Sequence, residues 1–144
     1  MRKHGRKCTI LAVFFSLLLF TTSTLFSAEI QIPRISIDEL KQFMESGADI
    51  VIIDTQHEKL YERGHIKGAL SYPAIMGIGQ ASTQHLPKGK TIIIYCDCGP
   101  GEDDSNEMAL QLKRLGFKDV KVLADPSIRG WMEKGYPIEK QALQ

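Results

Sequence analysis

Cysteine is scarce in this chain: three occur among 144 residues, and only Cys96 and Cys98 lie beyond residue 28. Two thiols are too few for a disulfide-stapled scaffold, so the fold must rest on an apolar core. Low-complexity segments and fixed-period repeats are absent, and neither proline nor glycine is in excess. Those absences exclude solenoids and extended disorder. Also missing is any basic patch outside the first few residues. Setting aside the four basic residues Arg2, Lys3, Arg6 and Lys7 leaves 14 Lys and Arg against 17 Asp and Glu, a net charge of −3. No nucleic-acid partner is expected of such a surface. The 43% hydrophobic and 24% charged content fits one ordinary globular domain.

The one long apolar run is at the N-terminus. The basic residues just named precede a mainly apolar stretch from Ile10 to Phe20, and a Thr/Ser-rich segment ends at Ala28. That order predicts a signal peptide over residues 1–28, with residues 29–144 as the folded domain. Ala28 suits the cleavage position, although Phe26 is bulkier than the small residue usual two places earlier. An N-terminal anchor is the alternative, because Thr9–Ala28 is twenty residues without a charge, about the length that spans a bilayer. The hydroxyl-rich Thr21–Thr24 segment interrupts that span. Cys8 precedes the apolar run, the wrong side for a lipid-modified cysteine. Both readings export the domain, to the periplasm or as a secreted protein, and only an uncleaved segment brings it into contact with membrane.

Beyond that segment, short apolar runs alternate with helical spacing. Ser36 and Glu39 form a capping-box pattern ahead of Leu40, Phe43 and Met44, with Gly47 as the stop. Ile50–Asp54 and Thr91–Tyr95 are β-branched runs of the kind buried on both faces. Glu58–Arg63 reads as a helical turn before Gly64, Ala69–Tyr72 as a short strand stopped by Pro73, and residues 74–87 as loop with room for a weak helical turn. A helix carrying Met108, Leu110, Leu112 and Leu115 is expected to begin at a capping box of Asp104 and Glu107 and to end at Gly116. Val120–Leu123 is the next strand, and Ile128–Lys134, with Trp131, the last helix. Strands alternating with helices predict an α/β fold, a small parallel β-sheet flanked by helices on both faces.

Ligand sites of such sheets lie off the carboxyl ends of the strands. Cys96 stands there, directly after Thr91–Tyr95 and ahead of a helix. A cysteine in that place is either a small buried hydrophobe or a nucleophile whose thiolate the helix N-terminus favours. Position selects the nucleophile. Cys98 is a second thiol that resolves a modified Cys96 or stands by. A disulfide across one intervening residue closes a very small ring, which makes it reducible rather than structural. Asp54, at the end of its strand, is read as a hydrogen-bond acceptor holding the cleft in shape, and His65 as a structural partner. Cys96, Cys98, His57 and His65 match no zinc spacing, so no metal is assigned, and no cofactor is expected.

Three blocks then carry a resemblance. The first is Ile53-Asp54-Thr55-Gln56 with Tyr61, Gly64-His65-Ile66-Lys67-Gly68-Ala69 and Pro73. The second is Thr91–Cys96. The third is Leu115-Gly116-Phe117 with Val120, Leu123, Trp131 and Gly135-Tyr136-Pro137. In this order and spacing they resemble a rhodanese-like (sulfurtransferase) domain over about Ile35 to Ile138. The resemblance implies that Cys96 takes sulfane sulfur from a small donor, holds it as a persulfide and passes it to a thiol or other nucleophilic acceptor. It further implies an active-site loop of Asp97, Gly99, Pro100, Gly101, Glu102, Asp103, Asp104 and Ser105, whose backbone N–H groups curl around the sulfur.

The loop departs from the family pattern. It holds Cys98 in a Cys-x-Cys start, resembling a less common variant in which Glu102 matches a downstream Glu. It has Asp97, Glu102, Asp103 and Asp104 but no Lys or Arg, so thiol ionisation and anionic donors are disfavoured, and thiosulfate is expected to be a poor donor. Gln56 stands where Arg is common, and Ala124-Asp125-Pro126 replaces a Gly-Gly turn. A phosphatase reading of the fold is excluded by the missing loop Arg. Two other functions stay open: thiol–disulfide or redox-sensing chemistry through Cys96 and Cys98, and a non-catalytic binding module whose acidic loop takes a cationic partner.

Overall fold

The computed structural model describes residues 30–141, so the expected signal segment lies outside the described residues. The elements are β1 (Arg34–Ile35), α1 (Ile37–Glu45), β2 (Ile50–Asp54), α2 (Glu58–Arg63), β3 (His65–Ile66), β4 (Leu70–Ser71), a 3-10 turn at Ala74–Met76, α3 (Gln80–Thr83), β5 (Thr91–Tyr95), α4 (Asp103–Arg114), β6 (Val120–Leu123), α5 (Ser127–Glu133) and β7 (Ile138–Glu139). Five strands form a parallel sheet in the order β1-β6-β5-β2-β4. None of the described helices is long and apolar enough to cross a membrane.

The alternation of side chains along β5 divides the core in two. Ile93 and Tyr95 face Leu40, Ile128 and Trp131 from α1 and α5. Ile92 and Ile94 face Met108, Ala109 and Leu112 of α4, with Phe117. Helices therefore cover both sides of the sheet, as expected. β2 and β5 pair in register from Ile50 opposite Thr91 to Asp54 opposite Tyr95, so Thr55 and Cys96 emerge together at the same sheet edge.

The expected capping box at Ser36 and Glu39 is present in full. The one expected at Asp104 and Glu107 does not form. Helix α4 begins at Asp103, and its N-cap is Glu102 in the left-handed region at φ 48°, with no side-chain cap bond. The Glu102 carboxylate is engaged elsewhere, as described below. Ala69–Tyr72 contributes only Leu70–Ser71 as strand. Residues 74–87, read as loop with room for a weak helical turn, hold two short ones, the 3-10 turn and the four-residue α3. The antiparallel pair β3–β7 has no sequence signal, since each strand is two residues long.

Candidate active site

Strand β5 ends on a firmly held residue. Thr55 donates both its N–H and its hydroxyl to the Tyr95 carbonyl, each at 3.0 Å. Cys96 follows, buried at 2% exposure. It is joined in a disulfide to Cys98, with Cα atoms 5.4 Å apart, and the Cys98 N–H donates to the Cys96 Sγ at 3.4 Å. Cys98 itself is exposed, as are Asp97, Pro100 and Gly101. Of the expected ring of loop amides, the Cys98 N–H is the one seen bonded to sulfur in this disulfide form. The chain turns by left-handed backbone at Gly99 (φ 80°) and Gly101 (φ 104°), where a β-carbon is disfavoured.

The charge around the thiol differs from the loop's own composition. Arg129 of α5 places Nε 2.7 Å from the Asp97 carboxylate and Nη2 3.6 Å from that of Asp125. Arg34 of β1 donates Nε to Glu102 at 2.9 Å. The other Glu102 oxygen accepts the Asp125 N–H at 2.8 Å. Glu102, 6% exposed, thus points away from solvent and ties the loop to β1 and to the β6–α5 turn. Asp103 and Asp104 sit in the first turn of α4, where the helix dipole favours negative charge. Two of the four loop carboxylates are therefore paired with arginines that local sequence could not assign. Arg34 and Arg129 are remote in the chain and follow no local pattern toward the loop.

Asp54 and His65 are held by structural bonds. Asp54 is fully buried and accepts from the Gln56 N–H at 2.8 Å, the Gln56 Nε2 at 3.0 Å and the Tyr95 hydroxyl at 2.5 Å. The Tyr95 oxygen in turn accepts the Ile66 N–H at 3.0 Å, locking β2, β5 and β3 together. Gln56, in the place of the common Arg, serves this network. The His65 ring stacks on Tyr61 at 3.7 Å, with Nδ1 2.9 Å from the Tyr61 carbonyl oxygen and Nε2 3.8 Å from Glu139. The hydroxyls of Ser105 and Ser127 are buried without a hydrogen-bond partner among the described residues.

Burial pushes the Asp54 carboxyl above its ordinary value of 3.8, against the lowering pull of Tyr95 and Gln56. A folded-state value above the unfolded one means that this group's stability contribution is complete below the unfolded value. It is lost as pH rises through the folded one. The penalty of Asp54→Asn is therefore expected to be largest at acidic pH, below the ordinary carboxylate value, and to shrink as pH rises through the raised folded-state value. Urea unfolding of both proteins across that range checks it, and a penalty that grows with pH contradicts the assignment.

A cleft of about 350 Å³ adjoins the loop, walled by Thr55, His57, Pro73–Ile75 and Gly77 on one side and by Asp104, Glu107, Met108 and Gln111 on the other. Its lining residue Thr55 is the same one that holds the Tyr95 carbonyl.

Comparisons with known proteins converge on one family. The profile of the rhodanese-like domain matches residues 36–134. A Bacillus subtilis protein named as a candidate sulfur carrier, YrkF, is 32% identical over 104 residues, covering 72% of this chain and 52% of its own length. Mycobacterium tuberculosis MoeZ, named as a candidate adenylyltransferase/sulfurtransferase, is 27% identical over 99 residues, covering 69% of this chain and 24% of its own. The chain thus spans about half of the first relative and a quarter of the second. Among solved structures, the BH2092 protein of Bacillus halodurans superposes with a TM-score of 0.67 at 27% identity, over 75% of this chain and 77% of that one. With the family profile covering four of the five strands of its sheet, its Cys96 loop and its last helix, the chain belongs to the family of rhodanese-like domains.

Proposed function

We propose that the domain is a sulfurtransferase whose Cys96, released from Cys98, carries sulfane sulfur as a persulfide. One observation supports this above the rest. Cys96 is set at the carboxyl end of the central strand, between a rigid strand terminus and the N-terminus of a 12-residue helix, where positive backbone potential favours a thiolate. Membership of the rhodanese-like family, with sulfur-carrier and sulfurtransferase relatives, supports sulfur transfer in general. In the proposed cycle, thiols reduce the disulfide and the Cys96 thiolate attacks the outer sulfur of a donor. The donor's remainder leaves with the bonding pair, and a nucleophilic acceptor then removes the sulfur. An exported domain over residues 29–144, behind the segment of residues 1–28, completes the reading.

Intact-mass measurement of the reduced chain after incubation with a low-molecular-mass persulfide, and separately with thiosulfate, is the test. The expected result is a gain of one sulfur atom, faster from the persulfide, because Asp103 and Asp104 leave the loop net negative. Failure to gain sulfur from either donor sinks the proposal.

The disulfide itself favours a second reading, thiol–disulfide chemistry at Cys96 and Cys98. Its signature is a reversible two-electron couple that vanishes in Cys98→Ser.

A further inference from the structure

The cleft beside the loop has two walls of opposite character. On one stands Ile75, 83% exposed, and the next residue in the chain, Met76, is 80% exposed just outside the lining, whereas no other large apolar side chain among the described residues exceeds 46%. This exposure is built in. The Met76 N–H donates to the Pro73 carbonyl and the Gly77 N–H to the Ala74 carbonyl, each at 3.0 Å. The Ile78 N–H is held by the Gln111 side chain at 3.2 Å. On the other wall stand Asp104 and Glu107, and the Gln111 Nε2 fixes one Glu107 oxygen at 2.9 Å. Neither carboxylate is in an ion pair among the described residues, unlike Asp97, Glu102 and Asp125. No Lys or Arg lines the cleft.

We propose that this cleft docks a segment of the protein that accepts the sulfur, one presenting a lysine or arginine beside an aliphatic side chain. The cation fits between Asp104 and Glu107, and the aliphatic group covers Ile75 on the opposite wall and extends over Met76 beside it. A preformed apolar ledge contributes binding without an ordering cost. Unpaired carboxylates opposite it steer a basic partner and reject an acidic one. The identity of this partner as the acceptor rests on the sulfur-transfer reading. The cleft is placed for it, because Thr55, which lines it, bonds the residue preceding Cys96.

The probe is a fluorescent peptide of alternating lysine and leucine, titrated by anisotropy into the full chain carrying Cys96→Ser, so that no sulfur chemistry intervenes. Saturable binding is expected, weakened about tenfold by Glu107→Lys and by the pair Ile75→Ser with Met76→Ser. Added salt should weaken it as well. Glu133→Lys, an exposed charge reversal on α5, is expected to change it less than about twofold. A peptide with serine in place of leucine should bind at least about tenfold more weakly. No binding, equal weakening by Glu133→Lys, or undiminished binding of the serine peptide overturns the proposal. Sulfur loading is measured separately on the unsubstituted chain, so a failure of transfer chemistry and a failure of docking are told apart.

Discussion

Cys96→Ser is expected to gain no sulfur from any donor, while Cys98→Ser, under reducing conditions, loads at a rate within about threefold of the unsubstituted chain. The asymmetry follows from placement. Cys96 is buried at the end of β5, on the segment that leads into α4, whereas Cys98 is exposed on the loop. Nucleophile removal deletes the bond-forming atom, so the loss is complete rather than graded. Mass spectrometry of the loaded proteins, with peptide mapping of the added sulfur, reads both outcomes. Loading that persists in Cys96→Ser, or that maps to Cys98, assigns the chemistry to the other thiol. Loss in both variants together points instead to dithiol chemistry that needs the pair.

The second large effect is on the loop's foundation. Glu102→Ala is expected to lower unfolding stability by about 2–4 kcal/mol, the range for losing charge-assisted bonds at a mostly buried site. It removes the acceptor for both the Arg34 guanidinium and the Asp125 N–H. Arg34 is itself half exposed and rehydrates, which keeps the figure below that for a fully buried pair. Alanine and glutamate are equally disfavoured in the left-handed backbone at this position, so the difference isolates the carboxylate. Glu102→Gln keeps an acceptor for the Asp125 N–H and is expected to cost about 1 kcal/mol. Urea unfolding of the three proteins checks the order. Equal stabilities contradict a clamp at this residue.

Much of the architecture was legible because the signals were strong and local. Two β-branched runs, an alternating set of helices and a full capping box at Ser36 led to the parallel sheet, and its carboxyl edge led to Cys96. What escaped was non-local. The loop reads as uncompensated acid because Arg34 and Arg129 reach it only through tertiary structure. Asp104 and Glu107 have the spacing of a capping box, yet Glu102 takes the cap position, since its side chain finds better partners in Arg34 and the Asp125 N–H. Exposure at Ile75 and Met76 was equally hidden, because residues 74–87 carry no period from which a facing could be read. The β3–β7 pair is too short to leave a pattern at all.

The loop is anchored in the core at its two ends, and between them it is held at the surface by the Asp97–Arg129 ion pair and the link from Cys98 to Cys96. Tyr95 is pinned by Thr55 and Asp54, and Glu102 by Arg34 and the Asp125 N–H, while Asp97, Cys98, Pro100 and Gly101 lie at the surface. That makes the intervening stretch an exchangeable cartridge. Provided Gly99 and Gly101 keep their backbone shape, the side chains between them and the cysteine can be rewritten without disturbing the foundation. A scaffold of this design can therefore be varied, by evolution or by an engineer, through a handful of surface residues while the buried anchors at either end stay unchanged.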